Sequence, residues 1–336
     1  MLLRSRLKKE LVNLLISKNK KICVVSLVFV LGLALILKQE KDEPEDKYLS
    51  SGHSVIRGNM VKIDNYKNAK KYLKNTNFYF LEHMDIVEEE QYPQGICLTD
   101  EFLIVSSYAG KHGELGKLKI FDKKSGEYLL TLEMDEKSHL GGVAYDGTYV
   151  WVCNSSKMAL ECIEYSFIKQ MIVQYKGASL DIRNLVERYR VKNIPSSVTC
   201  YEGTIWVATH SVWSKSIMCG YRLTEHQDRL QAVVTVVIPP KVQGIAFAEN
   251  GEVYLSTSYG RRKSSYIKKY DSIYSLINHV NNYSECIELP PCSEGIAYEE
   301  NRLFVVFESA GTKYLDGTDG KGKSKAPLDK ILVIPQ

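Results

Sequence analysis

The chain lacks most of the short signatures by which a chemistry is read from sequence. Its 8 cysteines include no Cys-x-x-Cys pair, which argues against a structural zinc site. There is no serine nucleophile elbow, no phosphate-binding P-loop and no His-Glu-x-x-His metal helix. Gly110-Lys-His-Gly113 and Gly320-Lys-Gly322 are too short to cradle phosphates. No charge of one sign dominates. The net charge is +4, and Arg4, Arg6, Lys8, Lys9, Lys18, Lys20 and Lys21 crowd the N-terminus, leaving the rest near neutral. A near-neutral body gives no electrostatic footprint for nucleic acid. Tryptophan is scarce, with 3 in 336 residues.

Only one long apolar run is present, Ile22 to Leu37, an uncharged stretch of 16 residues between Lys21 and Lys38. It is slightly under the usual spanning length, a shortfall that snorkelling lysines offset. No small-x-small cleavage site closes it, so a signal-anchor is favoured over a cleaved signal peptide. Basic residues before the run and the acidic Lys38-Gln-Glu-Lys-Asp-Glu-Pro-Glu-Asp stretch after it put the N-terminus in the cytoplasm. The expected organisation is a cytoplasmic basic segment (1–21), a single-pass span (22–37), a solvated tether (38–77) and an extracellular domain (78–336). A short helix is expected around Ala69-Lys-Lys-Tyr-Leu-Lys. Seven cysteines fall beyond the span, an odd number, and Cys153 and Cys162 flank a hairpin across which they could pair.

From residue 78 onward the sequence repeats. A polar residue before glycine or serine, a short apolar strand, a turn and a second apolar strand recur five times, aligned on Gly95, Gly142, Ser197, Gly244 and Gly295. The spacings of 47, 55, 47 and 51 residues, with further strands between, match four-stranded β-propeller blades. The fold class is therefore all-β, a propeller of five blades, with six open if residues 58–80 or Phe167 to Leu185 hide a degenerate unit. The C-terminal Lys330-Ile-Leu-Val-Ile-Pro335 reads as a third strand, so His83 to Glu88 is expected to supply the fourth and close the ring. Trp151, Trp206, Tyr254 and Phe304 fall at equivalent second-strand positions and are expected to pack between blades. Trp213 lies in a loop and is the better candidate for stacking on a sugar or peptide.

The start of each first strand and the end of each second strand lie on one face of the ring. Gln94, His139, Ser196, Gln243 and Glu294 are the starts; Tyr108, Asn154, His210, Tyr259 and Glu308 are the ends. Together they form a polar rim at the channel mouth, the default position for a ligand site, although each residue alone also serves to hydrate a channel entrance. Glu294 and Glu308 share one blade and one face, so they could hold a cation or divide into acid and base, with His139 or His210 beside them. The loops Ala109–Gly116, Gly260–Ser265 and Gly311–Ala326 are polar and expected to cap one face as mobile segments. Arg261-Arg262-Lys263 reads as a solvated basic patch.

The motifs Pro93-Gln-Gly, His139-Leu-Gly-Gly-Val-Ala, Val242-Gln-Gly-Ile-Ala, Ser293-Glu-Gly-Ile and Phe307-Glu-Ser-Ala resemble an uncharacterised group of secreted or membrane-anchored bacterial propellers. More loosely, the region from 83 onward is similar to gluconolactonase/senescence-marker and strictosidine-synthase-like propellers. The looser resemblance implies a divalent cation such as calcium in the channel, with Glu294 and Asn154 as ligands and Glu294, Glu308 and His139 as catalytic candidates. The aspartate that this pattern requires is absent, because Gln94 and Gln243 stand at the comparable positions. The expectation is thus a non-enzymatic, membrane-tethered extracellular propeller that binds a small molecule, glycan or peptide. Its partners would be the membrane, a cell-surface glycan or peptide, or an envelope protein, and no nucleic acid. The alternative is a metal-dependent hydrolase or lactonase.

Overall fold

A computed structural model describes residues 62–135 and 138–336. The expected basic segment, membrane span and most of the tether lie outside the described residues. Among the described residues no helix is long and apolar enough to cross a membrane.

The described chain opens with a short helix, Asn65–Lys70, whose first turn is capped by the Asp64 carboxylate accepting from Lys67 N–H at 2.9 Å. It is followed by strand β1, Tyr79–Leu81. Blade one contains β2 (Gln91–Leu98), β3 (Phe102–Ala109), β4 (Lys117–Asp122) and β5 (Tyr128–Glu133). Blade two contains β6 (Val143–Tyr145), β7 (Tyr149–Asn154) and β8 (Ala159–Glu164). Its chain then leaves through a helix, Tyr165–Tyr175, and a strand, β9 (Ser179–Asp181), before returning as β10 (Glu187–Arg190). Blade three is β11 (Ser197–Tyr201), β12 (Thr204–Ala208), β13 (Ser216–Leu223) and β14 (Leu230–Ile238). Blade four is β15 (Val242–Phe247), β16 (Val253–Thr257), β17 (Ser265–Tyr270) and β18 (Glu285–Leu289). Blade five is β19 (Ser293–Glu299), β20 (Arg302–Phe307), β21 (Ile331–Pro335) and the returning β1.

The chain therefore forms a β-propeller of five sheets, each built on four antiparallel strands. The connection from Phe167 to Leu185 hides no sixth unit. It holds the Tyr165–Tyr175 helix, and β9 adds to β5 as a parallel fifth strand of blade one, with Leu132 opposite Leu180.

Closure comes from β1, which pairs antiparallel with β21 through Tyr79–Val333, Phe80–Leu332 and Leu81–Ile331. This corrects the expectation that His83 to Glu88 closes the ring. That segment has the alternation of a strand because Met84 and Ile86 are buried between blades five and one. Its backbone, however, is held by lysines rather than by a ladder. Lys119 Nζ donates to Asp85 O at 2.8 Å, and Lys330 Nζ donates to Glu82 O, just ahead of the segment, at 2.9 Å. Alternation reports which side chains are buried and not what the backbone is bonded to.

Packing follows the repeat. Across the two innermost strands, Cys97 faces Ile104, Ala144 faces Trp151, Thr199 faces Trp206, Ala246 faces Tyr254 and Ala297 faces Phe304. A small side chain opposite a large one lets each large residue reach the neighbouring blade. Trp151 lies with Val198, Val207 and Tyr221 of blade three, and Trp206 with Ile245 and Leu255 of blade four. Tyr254 lies with Ile296 and Val305 of blade five, and Phe304 with Ile96 and Val105 of blade one. The core is thus divided into inter-blade layers.

Cys153 and Cys162 are both free and buried, so no disulfide crosses that hairpin. Cys153 stands opposite Leu160, and Cys162 stands opposite Trp151, which separates the two sulfurs along the ladder. The other described cysteines are also free.

Trp151 is fully buried and its indole N–H donates to Asp146 Oδ2 at 2.7 Å, whereas Trp213 is 89% exposed. Trp151→Ala is expected to cost about 3–5 kcal/mol through its cavity, and Trp213→Ala no more than about 0.5 kcal/mol. Urea unfolding of the two variants checks this. Equal losses would contradict the inter-blade role of Trp151.

Candidate functional site

The innermost strands approach so closely that a side chain would not fit between them. A Cβ on Gly95 would lie 2.8 Å from Gly142 Cα, and one on Gly142 would lie 2.6 Å from Val198 N. On Gly244 it would meet Glu294 O at 2.7 Å, and on Gly295 it would meet Gln94 O at 2.6 Å. Just before three of these glycines the ladder loses register. The breaks fall between Pro93 and Gly95, between Val242 and Gly244, and between Ser293 and Ile296. Gln94, Gln243 and Glu294 sit in these breaks. An extra residue there re-aims a side chain out of the alternating pattern.

These three side chains meet around Glu308, which follows the end of β20. Gln94 Nε2 donates to Glu308 Oε2 at 3.2 Å, and Gln243 Nε2 donates to Glu294 Oε1 at 3.1 Å. Glu294 and Glu308 lie side by side in this cluster. Glu294 is 3% exposed, and burial together with the neighbouring Glu308 charge holds its carboxyl well above the ordinary range. Burial also raises Glu308, against the hydrogen bond from Tyr314 and the field of Lys313, which both favour its anion. The pair keeps its proton at pH values where an exposed glutamate has lost it.

Lys313 and Tyr314 belong to a short helix, Thr312–Asp316, in the connection between β20 and β21. The Lys313 ammonium is surrounded by ring faces, 4.1 Å from the centroid of Tyr92, 4.8 Å from Tyr108 and 5.1 Å from Tyr314. It also donates to the Tyr108 hydroxyl. Burial, with Arg261 nearby, lowers its pKa, although Glu308 opposes the shift. Burial pushes the Tyr92 hydroxyl up to about 12. Gly311 allows the chain to pass here, since a Cβ would meet the Tyr92 ring at 2.3 Å.

One residue fastens this segment. Arg261 is 7% exposed and lies over the Tyr314 ring at 4.2 Å. Its guanidinium donates to Lys313 O at 2.8 Å, Gly322 O at 2.6 Å and both carboxylate oxygens of Asp319. The expectation of a solvated basic patch is therefore corrected at Arg261. A planar guanidinium can satisfy several carbonyls and a carboxylate at once, which makes its burial tolerable. The connection expected to be a mobile cap begins with a five-residue helix anchored by the buried Tyr314.

No protein-family model and no curated protein sequence matches the chain. Solved structures do match in shape. A tail fibre of Staphylococcus aureus phage P68 superposes with TM-score 0.51 at 11% identity, over 79% of this chain and 54% of that one. The PQQ-bound aldose sugar dehydrogenase of Streptomyces coelicolor gives TM-score 0.47 at 12% identity, over 78% of this chain and 98% of that one. Hydrazine synthase of Kuenenia stuttgartiensis gives 0.40 at 11% identity, over 68% of this chain and 59% of that one. The chain thus spans little more than half of the phage and hydrazine synthase chains. The shared feature is the fold. What remains of the sequence resemblance is a loose likeness among propellers.

The other rim residues fall into two groups. His139 joins the cluster through Tyr108, with ring centroids 4.4 Å apart, and is exposed at the mouth. Protein crowding around its ring and the Lys313 charge keep its pKa below the usual imidazole value. Asn154, His210 and Tyr259 bond elsewhere. Asn154 is fully buried; its amide donates to Glu161 Oε1 at 3.0 Å, and its Oδ1 accepts from Ser156 and Lys157. It caps a turn inside blade two. His210 Nδ1–H donates to Val242 O, 3.1 Å away, and its backbone N–H donates to Ser196 Oγ at 3.0 Å. Tyr259 lies edge-on to Trp213 at 6.2 Å, with Lys241 Nζ 5.1 Å over its ring.

These positions bear on the cation implied by the gluconolactonase-like resemblance. Asn154 already bonds Glu161, Ser156 and Lys157 through its amide and carbonyl, and the Lys313 ammonium faces the two glutamates. Among the described residues no group of three or more His, Cys, Asp or Glu is arranged to hold a metal ion. The donor set does not fit a divalent cation held by Glu294 and Asn154.

Sequence reading missed Lys313, Tyr314, Tyr92 and Arg261. A signal was present in Gly311-Thr-Lys-Tyr-Leu-Asp-Gly317, where a tyrosine and a leucine between two glycines mark a docked turn rather than a free loop.

The pair has a sign-definite pH signature. Its folded pKa lies above the unfolded value of 4.5, so its stabilising contribution is complete below that value and is lost as pH rises through the folded one. Glu294→Gln keeps a neutral hydrogen-bonding group there. Melting temperatures of the variant and the parent are expected to coincide near pH 4–5 and to diverge by roughly 3–8 °C in favour of the variant toward pH 8. Parallel curves would show that the pair holds no extra proton.

Proposed function

We propose that the chain is a ligand-binding propeller, tethered to the membrane with its ring outside the cell, and that its ligand enters at the channel mouth. The observation that carries this reading is the buried cluster of Glu294, Glu308, Gln94 and Gln243. Four polar side chains from three blades converge where packing of the repeat requires none of them. Tyr108 and His139 border it. The exposed Trp213 with Tyr259 and Lys241 offers an aromatic platform of the kind that stacks on sugars or peptides. His210 and Tyr259 contribute as the rim rather than as the cluster. The tether and orientation rest on the apolar run Ile22–Leu37 and its flanking charges. The ligand class on this reading is a small molecule, a cell-surface glycan or a peptide.

A second reading, hydrolase chemistry of the lactonase type, draws on the same carboxyl pair, in which a protonated and an ionised carboxyl lie side by side. It requires a metal that the donor set does not suit, so binding is the better supported reading.

Full-length protein in detergent micelles, titrated calorimetrically with neutral oligosaccharides and short peptides, tests this. Binding is expected with one of these classes, weakened at least about tenfold by Glu308→Ala or Trp213→Ala, a loss of roughly 1.4 kcal/mol or more. Lactone turnover that needs Ca²⁺, Mn²⁺ or Zn²⁺ and disappears in Glu294→Gln would reverse the choice in favour of the hydrolase.

A further inference from the structure

The cluster at the mouth is already occupied by part of the chain itself. Residues 311–325 leave β20, cross the mouth and return to β21, carrying Lys313 into a cage of three tyrosines beside the Glu294–Glu308 pair. Ring faces are negative, and an ammonium within about 6 Å of their centroids is attracted to them. The pair beneath carries negative charge once it holds a single proton. These groups recognise a cation through its charge and size, whichever molecule brings it.

The covering segment is fastened in a way that can be undone. Arg261 holds Lys313 O, Gly322 O and Asp319 together, and Asp319 is exposed. The other ties are Lys313 Nζ on the Tyr108 hydroxyl, the Tyr314 ring against Tyr92, Ser324 N–H to Tyr314 O at 2.7 Å and Lys325 N–H to Arg261 O at 3.0 Å. Gly317, Gly320 and Gly322 adopt positive φ, at 73°, 76° and 78°, and Lys321 and Lys323 are exposed. The buried anchors of the helical part are Tyr314 and, partly, Lys313 itself.

We propose that the mouth is a receptor for an organic ammonium group, primary or N-methylated, and that Lys313 is its built-in competitor. The ligand enters when residues 311–325 swing away with Lys313 and the Tyr314 ring, leaving Tyr92, Tyr108 and the carboxyl pair as its contacts, and Lys313 returns when it leaves. The proposal rests on the reading of the mouth as a ligand site and adds the chemical class of the ligand. The competitor lowers the apparent affinity by the fraction of time the strap is closed, so the site responds only to a ligand that outbids a tethered amine.

The test uses full-length protein in detergent micelles. n-Butylammonium, tetramethylammonium and Nα-acetyl-lysine N-methylamide are the probes, with equal NaCl and n-butanol as controls. Lys313→Ala empties the cage without altering its walls. Each ammonium is expected to raise the melting temperature of this variant saturably and to bind it at least tenfold more tightly than the parent. Adding Tyr92→Leu should abolish the effect. Comparison of n-butylammonium with the lysine amide tells a free amine from a peptide-borne one, and tetramethylammonium tests tolerance of methylation. Arg261→Ala provides an independent variant that keeps Lys313. It should accelerate tryptic cleavage at Lys321 and Lys323 about tenfold and tighten ammonium binding.

The proposal is overturned if Lys313→Ala responds to the ammonium probes no more than to NaCl, or if Arg261→Ala opens the strap without any gain in affinity. Oligosaccharide or neutral-peptide binding that survives such a result would leave the mouth as a ligand site and remove only the ammonium class. Loss of both would remove both.

Discussion

The close approach of the five innermost strands is the constraint on which the remainder of this structure depends. Gly95, Gly142, Gly244 and Gly295 bring neighbouring backbones to a separation that excludes a Cβ, and Ser197 takes the fifth place. Any larger residue would force the blades apart, and blade separation would open the inter-blade layers around Trp151, Trp206, Tyr254 and Phe304. Closure by β1 on β21 then holds the ring at the spacing the glycines permit. The same tightness limits what can occupy the axis. Gln94, Gln243 and Glu294 turn toward one another where the ladder slips.

That slippage makes the ring asymmetric. Blades one, four and five each break register beside their glycine and send Gln94, Gln243 and Glu294 into one cluster with Glu308. Blades two and three do not. In blade two the paired strand begins only at Val143, and in blade three Ser197 pairs with Ala208 without a break. Asn154 and His210 accordingly serve their own surroundings. The cluster survives burial because each carboxyl accepts an amide and burial disfavours ionisation of the pair. Lys313 and Tyr314 complete it from the connection between β20 and β21, which Arg261 holds in place.

Much of this was legible in the sequence. The five repeats, four centred on glycine and one on Ser197, yielded the blade count, and the large residues of the second strands yielded the inter-blade core, because both follow from local pattern. Glu294 and Glu308 were readable as neighbours because one hairpin holds them. His83–Glu88 misled because its alternation reflects burial alone. Arg261 misled because a basic triplet in a loop is usually solvated, and nothing local reveals the carbonyls of residues 313 and 322 that wait for it.

The sequence by itself determined the repeat, the strand pairs within each hairpin, the polar character of the mouth and the apolar run ahead of the domain. All of these are set by residues close together in the chain, where side-chain periodicity and turn chemistry act directly. Only the tertiary structure decided which rim residues meet. Gln94 reaches Glu308 across 214 positions and Gln243 reaches Glu294 across 51, through register breaks that hairpin geometry alone does not announce. It also decided that Lys313 sits inside a tyrosine cage, since Tyr92 and Tyr108 come from the first blade and Lys313 from the last. Ring closure places the two ends of the repeat side by side, and contacts of that kind are created by the fold and carried by no local pattern.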